Sequence, residues 1–334
     1  MTEFNPNIEQ DNSDLLINKG DKSLVSIIIP TYNRCDLLME AIASVKSQTY
    51  TNWELIIVDD GSTDETVEAI QKENDPKINL VLLPHTGNIS AVMNEGAKRS
   101  KGRWLAFLGS DDLWLPKKLE LQLKTLIEKN KKWSYGLFDY INEKGDLIYT
   151  STEKFNTYEG NVVKEVIMGK AGITICSIII EKKLFDEIGG LSSLLAIKGD
   201  YEFVLRLALK AEVAATKEVV LIVRDHPNRI SKFATYHYER SALVYKLFLD
   251  LNPGKELKRL AQKQYAYLLA EASVHRFANG DNRKALKQLS QSFGKDKLRH
   301  WLSALKRGIY AAFKKYFQHS AKKRKAEDVA AYYP

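Results

Sequence analysis

Asp111 and Asp112 stand side by side where an apolar run ends, in Leu-Ala-Phe-Leu-Gly-Ser-Asp-Asp-Leu-Trp-Leu-Pro (105–116). The run has the length and composition of a buried strand, and the carboxylates fall where its carboxyl end meets solvent. In open parallel α/β sheets that edge is where ligands bind. Adjacent carboxylates repel one another unless a positive charge lies near them. A hard divalent cation carrying a phosphate ligand meets that need. Chemistry on a metal-bound, phosphorylated substrate is therefore expected here.

Two further strand-like runs end in polar residues. Leu24–Ile29 leads into Pro30-Thr31-Tyr32-Asn33-Arg34, and Glu54–Val58 leads into Asp59-Asp60-Gly61-Ser62-Thr63-Asp64. A uracil-type base needs an acceptor for its ring N–H and a face to stack on, which Asp60 and Tyr32 can supply. A diphosphate needs cations, which Arg34 and a metal on Asp111 can supply. Taken alone, Asp-Gly-Ser is a common turn and a single Asp is a common helix cap. Three polar termini on one sheet edge are harder to explain as turns and caps.

The elements that position these residues follow from periodicity. Residues 24–116 alternate between apolar strand-like runs and amphipathic helix-like segments, which implies a parallel sheet covered on both faces. Asp36 can cap the first helix, residues 62–64 the second, and Asn88 or Ser90 the third. Ile78–Leu83 and Trp104–Leu108 are the third and fourth strands. Beyond Pro116 come a lysine-rich helix, a hairpin over 133–149, and a buried strand over Ile173–Ile180. A short helix follows, ended by Gly189-Gly190, then a helix over Asp200–Lys210 and a strand over Val219–Val223. After Asn228 the pattern is helical, with a hairpin from Glu256–Phe277 and Asn282–Phe293 broken at Gly280. It is similar to a single tetratricopeptide unit.

Val-Ser-Ile-Ile-Ile-Pro-Thr-Tyr-Asn-Arg (25–34), Ser-Gln-Thr-Tyr (47–50), Ile-Ile-Val-Asp-Asp-Gly-Ser-Thr-Asp (56–64) and Lys-Gly-Arg-Trp (101–104) before the Asp pair resemble family 2 glycosyltransferases. The resemblance is dense over 24–120, recognisable to about 231, and absent from the last hundred residues. It implies the α/β GT-A fold with a C-terminal all-helical extension. The expected divisions are a disordered lead-in (1–23), a GT-A domain (24–230, with nucleotide-binding and acceptor halves at 24–116 and 117–230), a helical region (231–294) and a basic tail (295–334).

The same resemblance implies an inverting transfer from a nucleotide-sugar, UDP favoured, with Mn²⁺ or Mg²⁺. The acceptor would be a surface polysaccharide, a lipid-linked glycan or a glycoprotein glycan. Pro30, Thr31, Tyr32, Arg34, Asp59, Asp60, Asn94, Ser110 and Asp112 match positions around the donor. Asp111 matches the last carboxylate of the family's Asp-X-Asp metal motif, and His226 a histidine that completes the metal shell or contacts the diphosphate. Gly109 stands where the first carboxylate of that motif is expected. Lys198-Gly199-Asp200-Tyr201-Glu202 resembles the acidic motif before an acceptor-side helix, which makes Asp200 the expected general base. An ionised Asp can take a proton from a hydroxyl as that bond breaks. Glu202 is expected to orient the acceptor, and His85 to be structural. A second reading, prompted by Gly109, is a catalytically weak binding or scaffold subunit.

Composition bounds the alternatives. At 334 residues, 44% hydrophobic and 28% charged, the chain can bury a sizeable core. Its two cysteines have neither disulfide nor metal spacing. No glycine-rich phosphate loop is present, and no apolar stretch is long enough to span a bilayer. The net charge of +8 is concentrated in residues 295–325, where eleven Lys or Arg face one acid. Trp301, Leu302, Leu305, Ile309, Phe313 and Phe317 recur there at helical spacing. Such a basic amphipathic stretch can lie on an anionic membrane surface or dock on its own domain. The expected location is the cytoplasm, at the inner face of the membrane. A protein partner on the helical region is also expected, and nucleic-acid binding is not.

Overall fold

The computed structural model describes residues 23–196, 198–225, 234–292, 302–308 and 310. The first half is built from β1 (Val25–Thr31), α1 (Cys35–Lys46), β2 (Trp53–Asp59), α2 (Thr66–Lys72), β3 (Ile78–Leu82), α3 (Ile89–Arg99), β4 (Trp104–Phe107) and β5 (Leu113–Trp114). Next come α4 (Lys118–Glu128), β6 (Trp133–Ile141), β7 (Leu147–Thr150), α5 (Ser151–Lys154), α6 (Val163–Ile167), β8 (Ile178–Glu181), α7 (Lys182–Glu187), α8 (Gly199–Lys210) and β9 (Ala214–Arg224). Three helices follow: α9 (Ala234–Asp250), α10 (Lys255–Ala278) and α11 (Asn282–Ser292).

Among the described residues the strands form one nine-stranded sheet in the order β3-β2-β1-β4-β8-β6-β9-β5, with β7 beside β6. β1 is parallel to both β2 and β4, and β2 to β3. β8 is antiparallel to both β4 and β6, so β6 and its parallel neighbour β9 run with the first four strands. The carboxyl ends of β1, β2, β4, β6 and β9 therefore share one edge. Every residue of β1 and β2 is buried, as expected for central strands covered on both faces. Burying each Ile or Leu of these runs contributes about 1.5–3 kcal/mol.

Several local expectations are corrected. Asp36 lies within the first turn of α1 rather than capping it; the cap position is Arg34, which makes no side-chain cap bond. The expected strand over Ile173–Ile180 is broken by a 3-10 turn at Ile175–Ser177, so β8 starts at Ile178. The carbonyls there are taken by side chains instead of a strand ladder. Trp114 Nε1 donates to Cys176 O at 3.0 Å, and Gln122 Nε2 to Ser177 O at 2.9 Å. β9 starts at Ala214, five residues earlier than its apolar core suggests. Asn88 caps α3, its side chain accepting from Ala91 N at 3.2 Å.

The helical region packs directly on the sheet domain, because Val244, Tyr245, Phe248 and Ala261 belong to the main core. Residues 302–308 are helical, and Ala304, Leu305 and Gly308 face α10. Arg307 binds Glu271 of α10 at 2.5 Å. This part of the basic tail is docked on its own domain; its remainder, with Trp301, Ile309 and residues 311–334, lies outside the described residues. No helix among the described residues is long and apolar enough to cross a membrane.

Lys118 of α4 is wholly buried. Its ammonium binds Gln122 Oε1, reaches Ser177 O at 3.2 Å and lies 4.8 Å from the Trp114 ring centre. Burial pushes its pKa down to about 7. The unfolded chain then holds one more proton than the folded chain between pH 7 and the usual lysine range. Stability should therefore rise with pH from about 7 towards about 10, by at most about 1.4 kcal/mol per pH unit. Thermal melts of the wild type across that window should show the rise, and Lys118→Met should flatten it. An equal slope in both proteins would contradict the assignment.

Candidate active site

β1 and β2 pair in parallel with Thr31 opposite Asp59, so two polar side chains end neighbouring buried strands. Thr31 is 4% exposed and Asp59 2%. Asp59 Oδ2 accepts from the Gly61 and Ser62 amides at 3.1 and 2.9 Å, which folds the Asp-Gly-Ser turn back on the strand. Asp59 Oδ1 and Thr31 Oγ1 have no hydrogen-bond partner among the described residues. Buried polar atoms are almost always paired, so these two leave bonding capacity open for a group from outside the chain, water or ligand.

Both carboxylate oxygens of Asp60, the residue expected to read a base, accept bonds from the next loop. Its Oδ1 accepts from Thr86 N and Thr86 Oγ1 at 2.9 and 2.8 Å, and its Oδ2 from Gly87 N at 2.9 Å. Asp60 thus fastens the loop between β3 and α3. The same loop brings in His85, expected from sequence to be structural. His85 Nδ1 lies 2.8 Å from Asp60 O and 3.2 Å from Asp60 Oδ2, so this nitrogen carries the proton and donates. The imidazole stacks on Tyr32 at 4.1 Å between centres and 24° between planes. Tyr32 is 39% exposed and presents its ring at the strand edge. Asn33, also missed from sequence, adopts a left-handed φ of 48°. Its Oδ1 accepts from Thr63 N at 2.7 Å, and its own amide donates to Ser62 Oγ at 2.9 Å. These bonds join the β1 and β2 loops. Asn tolerates the left-handed region better than most residues, which is the one signal the sequence offers. Pro30 is buried within β1, opposite Val58.

Beyond β4 the chain turns through Gly109–Asp112, with Asp112 N donating to Gly109 O at 3.2 Å. A Cβ on Gly109 would lie 2.8 Å from Asp111 Oδ1 and 3.2 Å from Asp112 Oδ2. The two carboxylates thus converge over the residue that lacks a side chain. The outer oxygens are held from outside. Asp111 Oδ2 pairs with the Arg34 guanidinium, and Asp112 Oδ1 accepts from Arg224 N at 3.2 Å. Arg224 also pairs with Glu40. Ser110 is buried between the two ends of the turn. Two convergent carboxylate oxygens fit a hard divalent cation. His226 lies outside the described residues, among which no group of three His, Cys, Asp or Glu forms a fuller ligand set.

Asp200 sits in the first turn of α8, after Lys198, whose φ of 71° bends the chain into the helix. Its Oδ1 accepts from Tyr201 N at 2.8 Å. Cys176 feels the charge of both the Asp111-Asp112 turn and Asp200. Burial pushes that thiol well above its ordinary value, and the charges of Asp112, Asp111 and Asp200 push it further. The start of α8 is held by close contact: a Cβ on Gly199 would lie 2.1 Å from Ser90 Oγ, at the start of α3. Ser90 Oγ in turn donates to Leu195 O at 2.9 Å. Glu202 pairs in a bidentate manner with Arg206 at 2.6 and 2.7 Å. Arg206 also binds the carbonyls of Ile188 and Gly190, the latter at 2.7 Å. Asn94 exchanges two bonds with the Leu191 backbone, at 2.7 and 2.9 Å. Glu202 and Asn94 therefore brace the 188–195 segment.

The model of the glycosyl transferase family 2 matches residues 26–189. An uncharacterized glycosyltransferase of Rickettsia bellii is 30% identical over 273 residues, which cover 77% of this chain and 39% of the relative. The UDP-Glc:alpha-D-GlcNAc-diphosphoundecaprenol beta-1,3-glucosyltransferase WfgD of Escherichia coli is 38% identical over 122 residues, 36% of this chain and 48% of WfgD. The chain thus spans less than half the length of the first curated relatives it matches. Among solved structures, S. aureus TarS 1–349 in complex with UDP-GlcNAc aligns with a TM-score of 0.65 at 17% identity. The alignment covers 88% of this chain and 92% of that one. This likeness shows the fold: a mixed α/β sheet of GT-A type followed by a helical region.

The Gly199–Ser90 contact is testable on stability alone. Overpacking costs about 1–3 kcal/mol, so Gly199→Ala should lower the melting temperature by several degrees. Adding Ser90→Ala removes the obstructing oxygen and should recover part of the loss. A double variant less stable than the sum of the two single changes would contradict the contact.

Proposed function

Over residues 26–189 the chain belongs to glycosyltransferase family 2, and from that premise we propose that it transfers a sugar from a nucleoside-diphosphate donor to an acceptor hydroxyl, inverting the anomeric carbon, in the synthesis of a surface glycan. One observation carries the donor site. Thr31 Oγ1 and Asp59 Oδ1 end adjacent strands, buried and without hydrogen-bond partners among the described residues. A carboxylate oxygen accepts only, so its partner must bring an N–H or O–H, as an imide or a ribose does. Tyr32, with His85 stacked behind it, offers the ring face for the base. WfgD uses UDP-Glc by its name, and the TarS structure holds UDP-GlcNAc; both favour UDP as the nucleotide. The WfgD acceptor, a sugar on diphosphoundecaprenol, favours a lipid-linked glycan as the acceptor.

Asp111 and Asp112 would hold Mn²⁺ or Mg²⁺ through the oxygens that meet over Gly109. When bound, the cation supplies Lewis-acid stabilisation of charge on the departing diphosphate. Arg34, already on Asp111, adds a second positive charge at the same place and can bind a diphosphate oxygen. Asp200 is the general base. Its carboxylate is oriented by the Tyr201 amide and takes the acceptor proton as the hydroxyl oxygen attacks opposite the diphosphate. One displacement inverts the anomeric centre. The closeness of both carboxylates to Gly109 supports reading the glycine as room they use rather than as a lost ligand, and so favours transfer over a weak scaffold.

Asp200→Asn should reduce UDP-sugar turnover in the presence of Mn²⁺ by about a hundredfold or more, with UDP affinity by calorimetry within a few-fold of wild type. Near-wild-type turnover would remove Asp200 as the base. Gly109→Asp supplies the carboxylate expected from the family motif but must displace Asp111 and Asp112. It should therefore weaken Mn²⁺ binding, measured by titration in the absence of donor. Tighter binding would show that the site lacks the ligand at 109.

A further inference from the structure

The helices beyond β9 lie outside the family match, yet one of them reaches the Asp200 turn. Tyr201 follows Asp200 directly, and its amide is the group that donates to Asp200 Oδ1. Its side chain runs away from the sheet edge towards α6. There the Tyr201 hydroxyl lies 2.6 Å from Val166 O and 2.8 Å from the hydroxyl of Tyr245, on α9. The Tyr245 hydroxyl lies 2.7 Å from Ile167 O. The rings meet edge to face at 6.1 Å and 66°. Two hydroxyl protons serve these three contacts, so losing either oxygen rearranges the whole group. Burial raises both phenols above their ordinary value, which keeps both protons in place at neutral pH.

We propose that Tyr245 is a positioning residue for the Asp200 carboxylate, acting through Tyr201, and that α9 is therefore part of the catalytic unit. The proposal rests on the reading of Asp200 as the general base. A hydroxyl attacking an anomeric carbon needs its base within hydrogen-bond reach, and a small displacement of that base costs rate. Asp200 is one residue from a ring held at its far end by one carbonyl of α6 and by the Tyr245 hydroxyl of α9, which is itself held by a second carbonyl of α6. That group restrains the first turn of α8 through Tyr201. The same face of α9 continues towards the residue that precedes α8. His237, Ser241 and Tyr245 are spaced four apart and share a side of the helix. Ser241 is 7% exposed. Burial, then the nearby Lys198 charge, lowers the His237 imidazole. α9 therefore meets α8 at Tyr201, the residue that follows Asp200.

The experiment compares the full chain with Tyr245→Phe, Tyr201→Phe and, as control, Tyr267→Phe, which is 44% exposed on α10. Release of UDP from UDP-glucose and UDP-GlcNAc is measured with Mn²⁺, and amide hydrogen exchange is followed over residues 199–202. Tyr245→Phe should lower kcat about tenfold with KM for the donor within twofold. Exchange at 199–202 should quicken severalfold while β1 and β2 are unchanged. Tyr201→Phe should reproduce both effects, the double variant should add little, and Tyr267→Phe should match wild type. Wild-type exchange at 199–202 in Tyr245→Phe would overturn the proposal, as would a wild-type kcat. A wild-type chain that releases no UDP would instead count against the transfer reading, and the exchange data would still decide whether Tyr245 holds the Asp200 turn.

Discussion

β1 is hydrogen-bonded in parallel on both sides, with Val25 opposite Trp53 in β2 and opposite Trp104 in β4. The rest of the site depends on that double register. It ends the three strands together, so Thr31, Asp59 and the Gly109–Asp112 turn emerge at one edge. A slip of one residue would turn every side chain of β1 to the other face. The buried Val, Ile and Leu on both faces of these strands make such a slip costly. The geometry of the donor site is thus a consequence of core packing several residues away from it.

Charge at this edge is managed by pairing. Asp60 is stabilised by hydrogen bonds from loop amides, Asp111 by the charge of Arg34, and Asp112 by the Arg224 amide. Each pairing joins segments distant in sequence, so the carboxylates also hold the loops. Beneath them Cys176 stays a neutral thiol, pushed up by burial and by three nearby carboxylates. The absent side chain at Gly109 fits the same logic. The space it would occupy lies against carboxylate oxygens of both Asp111 and Asp112.

The acceptor side joins α8 and α9, which lie beyond the family match, to α3 and α6 within it. α8 begins against Ser90 of α3, is braced by Arg206 on the 188–190 carbonyls, and is tied through Tyr201 to α6 and α9. The helical region shares the main core with the sheet domain through Val244, Tyr245 and Phe248. The docked part of the basic tail turns Ala304, Leu305 and Gly308 inwards and leaves Leu302 and Tyr310 exposed.

By itself the sequence determined the parallel strands of the first half, their polar ends and most helix boundaries. Those depend on local periodicity, on apolar runs such as Val25–Ile29, and on residues with fixed conformational habits such as Asn88 and Gly280. It did not reveal that Ile173–Ile180 would break at Ile175, because the cause is Trp114, Lys118 and Gln122 capturing carbonyls some sixty residues away. Nor did it show that, among the described residues, Asp59 keeps one unpartnered oxygen while its neighbour Asp60 is bound to Thr86 and Gly87. His85 and Tyr245 carried no pattern at all. Residue type states what a side chain can bond to. Only the tertiary structure decides which distant donor reaches it, because the direction of each bond is set by how strands and helices pack.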